Sequence, residues 1–207
     1  SSYPYAGEVY VIPGPLATNR SYQLSAQAAR IFQAVVGDYP EIGAYLDSGD
    51  VNGDGIDDIV MGSWTTGLAY IYSGSAAIQA SSPLTIPVLS ENMALTVSPA
   101  SAGLLLCDFN ADGIQDLFVE DELGGEVGFP INVWGYLGNP SITITNPHSL
   151  SMLSDANITI TGFNSDFLVF PGPKNLACGD VDGDGVPDLA VGMYGESPKF
   201  RFTAGIV

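Results

Sequence analysis

The sequence of 207 residues predicts an all-β fold built from a repeating unit. Three observations point there. Nine-residue acidic loops at Asp50 to Asp58 (DVNGDGIDD), Asp108 to Asp116 (DFNADGIQD) and Asp180 to Asp188 (DVDGDGVPD) each run into a short apolar or β-branched segment, IVMG, LFVE and LAVG, the signal of a buried strand. A second motif, a strand rich in aromatics, recurs alongside them. Elsewhere, strand-sized runs are cut by Pro, Gly, Asn and Ser at short spacing, as an all-β repeat requires.

In chain order, the first element is AGEVYVIPG, Ala6 to Gly14, which aligns without gaps on TGLAYIYSG, Thr66 to Gly74, placing Gly7 over Gly67, Tyr10 over Tyr70 and Gly14 over Gly74. A third copy is INVWGYLG, Ile131 to Gly138, with Trp134 and Tyr136 in the places of Tyr70 and Tyr72, and a fourth begins at Ala204. Tyr22 to Val36 is rich in Ala and Gln and reads as a long loop with one helical turn at most. Further strands are expected at Leu84 to Val88, Ala94 to Val97, Ser141 to Thr145 and Asn157 to Thr161. The acidic loops recur after 58 and then 72 residues, so the period belongs to a repeat architecture.

Each acidic loop follows D-x-[ND]-x-D-G-x-x-D. Side chains at positions 1, 3 and 5 of such a loop converge on one ion, the Gly at position 6 permits the sharp turn, and position 7 offers its carbonyl. The expected ligands are Asp50, Asn52, Asp54, the Ile56 carbonyl and Asp58; Asp108, Asn110, Asp112, the Ile114 carbonyl and Asp116; and Asp180, Asp182, Asp184, the Val186 carbonyl and Asp188. All donors are oxygen, which favours Ca²⁺ over zinc, copper or iron, and over Mg²⁺ with its strict octahedral demand. Surface turns are also rich in Asp, Asn and Gly, but three full matches to one pattern outweigh that plain reading. An EF-hand is excluded, because position 12 is Met61, Val119 or Val191 where a bidentate Glu is needed.

These features resemble the FG-GAP repeats of the integrin α-subunit β-propeller and its relatives. In the first copy, Ile42-Gly43 stands at the Phe-Gly position, the loop 50–58 at the calcium loop, Met61-Gly62-Ser63 at the Gly-Ala-Pro position, and Gly67 to Tyr72 at the aromatic strand. The later copies are looser, with Ala102-Gly103 and Pro171-Gly172 near the Phe-Gly position, and Val119-Glu120-Asp121 and Val191-Gly192-Met193 at the Gly-Ala-Pro position. The resemblance implies FG-GAP-type β-propeller blades, about three of them with four antiparallel strands each, within a larger propeller. The blades run 15–74, 75–138 and 139–207 of one repeat region, residues 1–14 completing a preceding blade. Tyr10, Tyr70, Tyr72, Trp134 and Tyr136 alternate along strands, as packing between blades requires. The resemblance also implies ligand contacts on inter-strand loops away from the calcium rim, where Trp64, Phe200 and Phe202 are the candidates.

Propellers close with four to eight blades, so three repeats need completion. A segment of a longer chain is the favoured expectation; self-assembly through phase-matched termini is the other. The composition, 46% apolar, belongs to a folded protein with a sizeable core. The net charge of −18, with five basic residues, disfavours nucleic acid and anionic lipid as partners. Three dications would offset a third of that charge. No apolar run reaches the length of a membrane span.

Cys107 abuts Asp108 while Cys178 stands two before Asp180, so the two side chains leave their strands in opposite senses, and two buried thiols are expected over a disulfide. Asn19 and Asn157 head N-glycosylation sequons. Catalytic parts are missing: the single His, His148, lies in a turn-like NPHSL context, and no Cys-His pair, G-x-S-x-G elbow or phosphate loop occurs. A non-enzyme is expected. Calcium loops of this type suit the millimolar calcium outside cells. The leading expectation is an extracellular or cell-surface calcium-binding propeller segment, with structural Ca²⁺ at three sites, that recognises or adheres to a protein or glycan ligand. A structural subunit of a surface layer or filament, and a non-catalytic accessory domain of a secreted hydrolase, are the alternatives.

Overall fold

The computed structural model describes residues 7–23, 30–34, 41–63, 67–74, 82–86, 93–98, 103–121, 130–141, 148–151, 155–164 and 176–192. Every element among them is a strand: β1 (Glu8–Val11), β2 (Arg30–Ala34), β3 (Ile42–Gly49), β4 (Asp58–Ser63), β5 (Leu68–Tyr72), β6 (Ser82–Ile86), β7 (Met93–Ser98), β8 (Gly103–Cys107), β9 (Asp116–Asp121), β10 (Pro130–Tyr136), β11 (His148–Ser151), β12 (Ile158–Asn164), β13 (Leu176–Gly179) and β14 (Asp188–Val191). The all-β expectation therefore holds, and the apolar run after each acidic loop is a strand, β4, β9 and β14.

Among the described residues four sheets form, ordered β1-β2-β6, β11-β7-β5-β4-β3, β12-β10-β9-β8 and β13-β14. The third is a four-stranded antiparallel blade. In the second, β3, β4, β5 and β7 repeat that antiparallel order and β11 adds in parallel to β7. The first likewise gains β6 in parallel to β2. The sheets thus group strands across the intervals 15–74, 75–138 and 139–207.

Two local expectations change. Within Tyr22 to Val36, the stretch 30–34 is the strand β2, paired antiparallel to β1 and parallel to β6. Its Phe32 is fully buried and meets the Tyr72 ring edge-on at 4.7 Å, so tertiary packing overrides the Ala and Gln composition. His148 sits in β11, opposite Leu95, and not in a turn. Of the expected strand at Ser141 to Thr145, only Ser141 is among the described residues.

The sheets stack face to face, and the two faces can be assigned from strand alternation. Numbered from the first residue of each acidic loop, positions −4, −2, 10 and 12 are Leu46, Ser48, Ile59 and Met61 in the second sheet, Leu104, Leu106, Leu117 and Val119 in the third, and Leu176, Cys178, Leu189 and Val191 in the fourth. In the third and fourth sheets this face packs on the opposite face of the sheet before it, and in the second Met61 does so with Ile59 at its margin, while Leu46 and Ser48 are exposed. Leu104, Leu106, Leu117 and Val119 bury against Tyr45, Val60, Ala69 and Ile71. Leu176, Cys178, Leu189 and Val191 meet Cys107, Phe118 and Val133, and Met61, Tyr70 and Tyr72 meet Val9 and Phe32. Among the described residues three cores thus lie between four sheets. Gly43 marks one close approach: its φ is +88°, and a Cβ there would come within 2.9 Å of Val9 Cγ2, so the Phe-Gly position needs its glycine for backbone and space alike.

The stacking overturns the expectation for the cysteines. Cys107 and Cys178 form a disulfide with Cα atoms 6.1 Å apart. Their opposite directions are what bring them together, because one face of the third sheet meets the other face of the fourth. The parity argument holds for two residues of one sheet and reverses for two neighbouring sheets.

Candidate metal centre

The acidic loops connect β3 to β4, β8 to β9 and β13 to β14, and each is wired in the same way from its own carboxylates. Position 1 collects backbone N–H donors. Asp50 Oδ1 accepts from Gly53 N at 2.6 Å and Asp54 N at 3.2 Å, and its Oδ2 from Gly55 N at 2.7 Å. Asp108 accepts from Asp112 N and Gly113 N, both at 2.9 Å, and Asp180 from Gly183 N at 2.7 Å and Gly185 N at 3.0 Å. Position 3 accepts from the N–H of position 5 (Asn52, Asn110, Asp182) and position 5 from that of position 7 (Asp54, Asp112, Asp184). Such a ladder can form only if the chain turns left-handed at position 6, where Gly55, Gly113 and Gly185 have φ of +82°, +91° and +91°. Position 4 is left-handed too. It is Gly53 and Gly183 in two loops but Ala111, at φ +57°, in the second.

Position 9 has a different setting. Asp58 and Asp116 are fully buried. One oxygen of each accepts from position 2, Val51 N and Phe109 N, both at 3.0 Å. The other accepts from Gly74 N at 2.7 Å or Gly138 N at 2.9 Å, at the end of the aromatic strand. In the third loop Asp188 accepts from Val181 N at 2.8 Å. Sequence reasoning missed this role for Gly74 and Gly138, although both stood at aligned positions of the aromatic repeat.

Electrostatics separates these carboxylates. Burial pushes Asp50 up, but four N–H bonds from Gly55, Gly53, Asp54 and Asn52 outweigh it and hold the group below the usual carboxylate range. Burial raises Asp58 and Asp116 above that range despite their backbone bonds, with the neighbouring Asp54 or Asp112 charge adding to the shift. Tyr136 is also raised, by burial and then by the Asp155 charge.

The third loop brings three carboxylates together: Asp180, Asp182 and Asp188 each place an oxygen within 4.8 Å of the others. Among the described residues no other set of three acidic, His or Cys side chains gathers in this way. The first two loops carry Asn52 and Asn110 at position 3, so an amide oxygen stands where the third loop has a carboxylate. The position 5 carboxylates, Asp184 included, are engaged by the N–H of position 7 in all three loops. Ile56 and Val186 hold their side chains in solvent. The all-oxygen donor set of the third loop fits a hard cation such as Ca²⁺.

The first two loops also touch. Gln115 N donates to the Asp50 carbonyl at 2.8 Å, and Asn139 N to the Val51 carbonyl at 3.0 Å. Asn19 and Asn157 are both exposed, and Asn157 Oδ1 accepts from Leu137 N at 2.9 Å. Trp64, Phe200 and Phe202, the candidate ligand contacts, lie outside the described residues, as do the strand at Ala204 and Pro171-Gly172. No described helix is long and apolar enough to cross a membrane.

Residues 50–119, which span the first two acidic loops and run from before β4 into β9, match the family model of the FG-GAP-like repeat. No curated protein matches the chain. The stretch is similar to FG-GAP-like repeats, and the sheets it contributes to have a form consistent with β-propeller blades.

Proposed function

We propose that this chain, carrying the FG-GAP-like repeat in residues 50–119, is an extracellular β-propeller segment whose rim is rigidified by Ca²⁺ and which acts, without catalysis, in recognition or adhesion. The observation that carries this reading is the identical wiring of three acidic loops at the strand turns. In each, position 1 is held by the backbone of the loop and position 9 accepts from the N–H of position 2; in the first two, position 9 is also held from the end of the aromatic strand. Asp180, Asp182 and Asp188 would hold the ion in the third loop. Asp50, Asn52 and Asp58, and Asp108, Asn110 and Asp116, hold the same positions in the first two. A bound dication would neutralise carboxylates that otherwise repel one another. The loop-to-loop bonds from Gln115 and Asn139 would pass that rigidity from one blade to the next. The disulfide supports an oxidising, extracytoplasmic setting.

The test is thermal unfolding with calcium, with magnesium and with chelator. An ion that binds only the folded state contributes about 2.7 kcal/mol per site at one hundred times its Kd. Calcium should therefore raise the melting temperature well above that in chelator, and more than magnesium does. A melt indifferent to chelator defeats the structural-calcium reading. Binding to a protein or glycan array in calcium then tests recognition.

A further inference from the structure

The two bonds between the first and second acidic loops lead directly to loop carboxylates. Gln115, whose N–H reaches the Asp50 carbonyl at 2.8 Å, is position 8 of the second loop and adjoins Asp116, while Asp50 is position 1 of the first. Asn139, whose N–H reaches the Val51 carbonyl at 3.0 Å, follows Gly138, which donates to Asp116 Oδ1 at 2.9 Å. Val51 in turn donates its own N–H to Asp58 Oδ2 at 3.0 Å. The two fully buried carboxylates, Asp116 and Asp58, are thus joined through Gly138, Asn139 and Val51 by hydrogen bonds with one peptide unit between each and the next.

Packing follows the same path. A Cβ on Gly53 would lie 3.0 Å from Ile114 Cδ1, and one on Gly138 would run into the Gln115 carbonyl and, at 3.0 Å, that of Val51. Gly138 is wedged between the loops. Val51 is 1% exposed, so its backbone groups find no water if either loop moves alone, and a buried unpaired peptide group is costly. The third loop carries Pro187 at position 8. Proline has no N–H, so the Gln115 bond has no counterpart there.

We propose that the first two acidic loops open and close as one unit, coupled through Gln115 and Asn139, so that order imposed on one is passed to the other. Under the calcium reading above, on which this part alone rests, an ion bound in one loop raises the affinity of the other, and the effect is reciprocal. The coupling itself is a property of the backbone and is present without metal.

The glycines at position 6 supply matched perturbations. Gly55, Gly113 and Gly185 have φ of +82°, +91° and +91°, and no atom lies within 4 Å of a Cβ added to any of them, so alanine strains each turn without a clash. The strain should lower hydrogen-exchange protection of the altered loop by about tenfold. Exchange is followed by NMR in chelator at the amides of positions 2 and 6, which are residues 51 and 55, 109 and 113, and 181 and 185. Gly113→Ala should lower protection at Val51 and Gly55 by about fivefold, and Gly55→Ala, the second variant should the first not fold, should do the same at Phe109 and Gly113. Gly185→Ala strains a loop with no bond to the first among the described residues, and should leave Val51 and Gly55 within about a factor of two. Gln115→Pro puts the third loop's residue at position 8. Measured against that variant alone, adding Gly113→Ala should change Val51 and Gly55 by only about twofold.

In calcium, Asp112→Asn should raise about fivefold the calcium concentration that half-protects Val51 and Gly55. If calcium protects none of the loops, the calcium reading fails and takes the affinity coupling with it, while the results in chelator decide the backbone coupling. The proposal is overturned if Gly113→Ala loosens its own loop and leaves Val51 and Gly55 unchanged, if Gly185→Ala loosens the first loop as much, which makes the opening global, or if Gln115→Pro leaves the transmitted effect intact.

Discussion

Replacing both Cys107 and Cys178 by Ala tests whether the third and fourth sheets are held together mainly by the bridge. The two cysteines are 71 residues apart in sequence, and closing a loop of that length removes denatured-state entropy equivalent to about 4 kcal/mol at 25 °C. The native core loses little besides, since Cys107 is small and sits among Phe118, Val133 and Leu176, which remain. For a cooperative domain of this size, with an unfolding entropy of about 2.1 cal/mol/K per residue, the loss lowers the melting temperature by about 10 °C. Circular dichroism melts in saturating calcium measure it, with the double variant chosen so that no single buried thiol remains. A shift below about 2 °C would refute the reasoning, because it would mean that the denatured chain gains no freedom when the bridge is removed. The fourth sheet has only β13 and β14 among the described residues, so the bridge should matter most there. Hydrogen exchange at Leu189 to Val191 should therefore accelerate more than exchange at Ile59 to Met61.

Other outcomes follow from the loops. Asp58→Asn presents an amide where Val51 N and Gly74 N need acceptors; it should cost about 1–3 kcal/mol in chelator, and a loss seen only with calcium would contradict the structural role. Ala111→Gly relieves a left-handed alanine and should stabilise the protein by about 1 kcal/mol in a denaturant titration, whereas destabilisation would mean that the turn is held by something other than backbone preference. Asp58 and Asp116 have raised folded pKa values, so without metal the folded state binds protons more tightly than the unfolded chain. Their contribution is fully favourable below the ordinary carboxylate pKa and is lost as pH rises through the folded values. Asp50 acts in the opposite sense, its contribution lost as pH falls through its lowered pKa. In chelator, the change in melting temperature between pH 7 and pH 4.5 should thus be less favourable to acid in Asp58→Asn than in the unaltered chain, and equal changes would contradict burial as the cause.

Much of the candidate site was legible because it is local. Positions 1, 3 and 5 bond to N–H groups two to five residues on, and the left-handed turn at position 6 is written as Gly in all three loops. The aromatic alignment located β5 and β10 from Tyr70, Tyr72, Trp134 and Tyr136 by the same repeat logic. The partner of the position 9 carboxylate was not legible. Gly74 and Gly138 lie 16 and 22 residues beyond Asp58 and Asp116, and nothing in a nine-residue pattern shows which backbone will meet it. Phe32 was missed for a related reason: the composition of its segment favours no strand, and its burial against Tyr72 exists only once two sheets have stacked.

The sequence by itself determined the β class, the repeat and the three acidic turns, since alternation, glycine and short-range carboxylate bonds act within a dozen residues. Only the tertiary structure decided which strands join in parallel at the sheet margins. It also decided that Cys107 and Cys178 face each other across two sheets. Those facts depend on which face of one sheet meets which face of the next, a relation set by burial summed over whole faces and carried by no single stretch of chain.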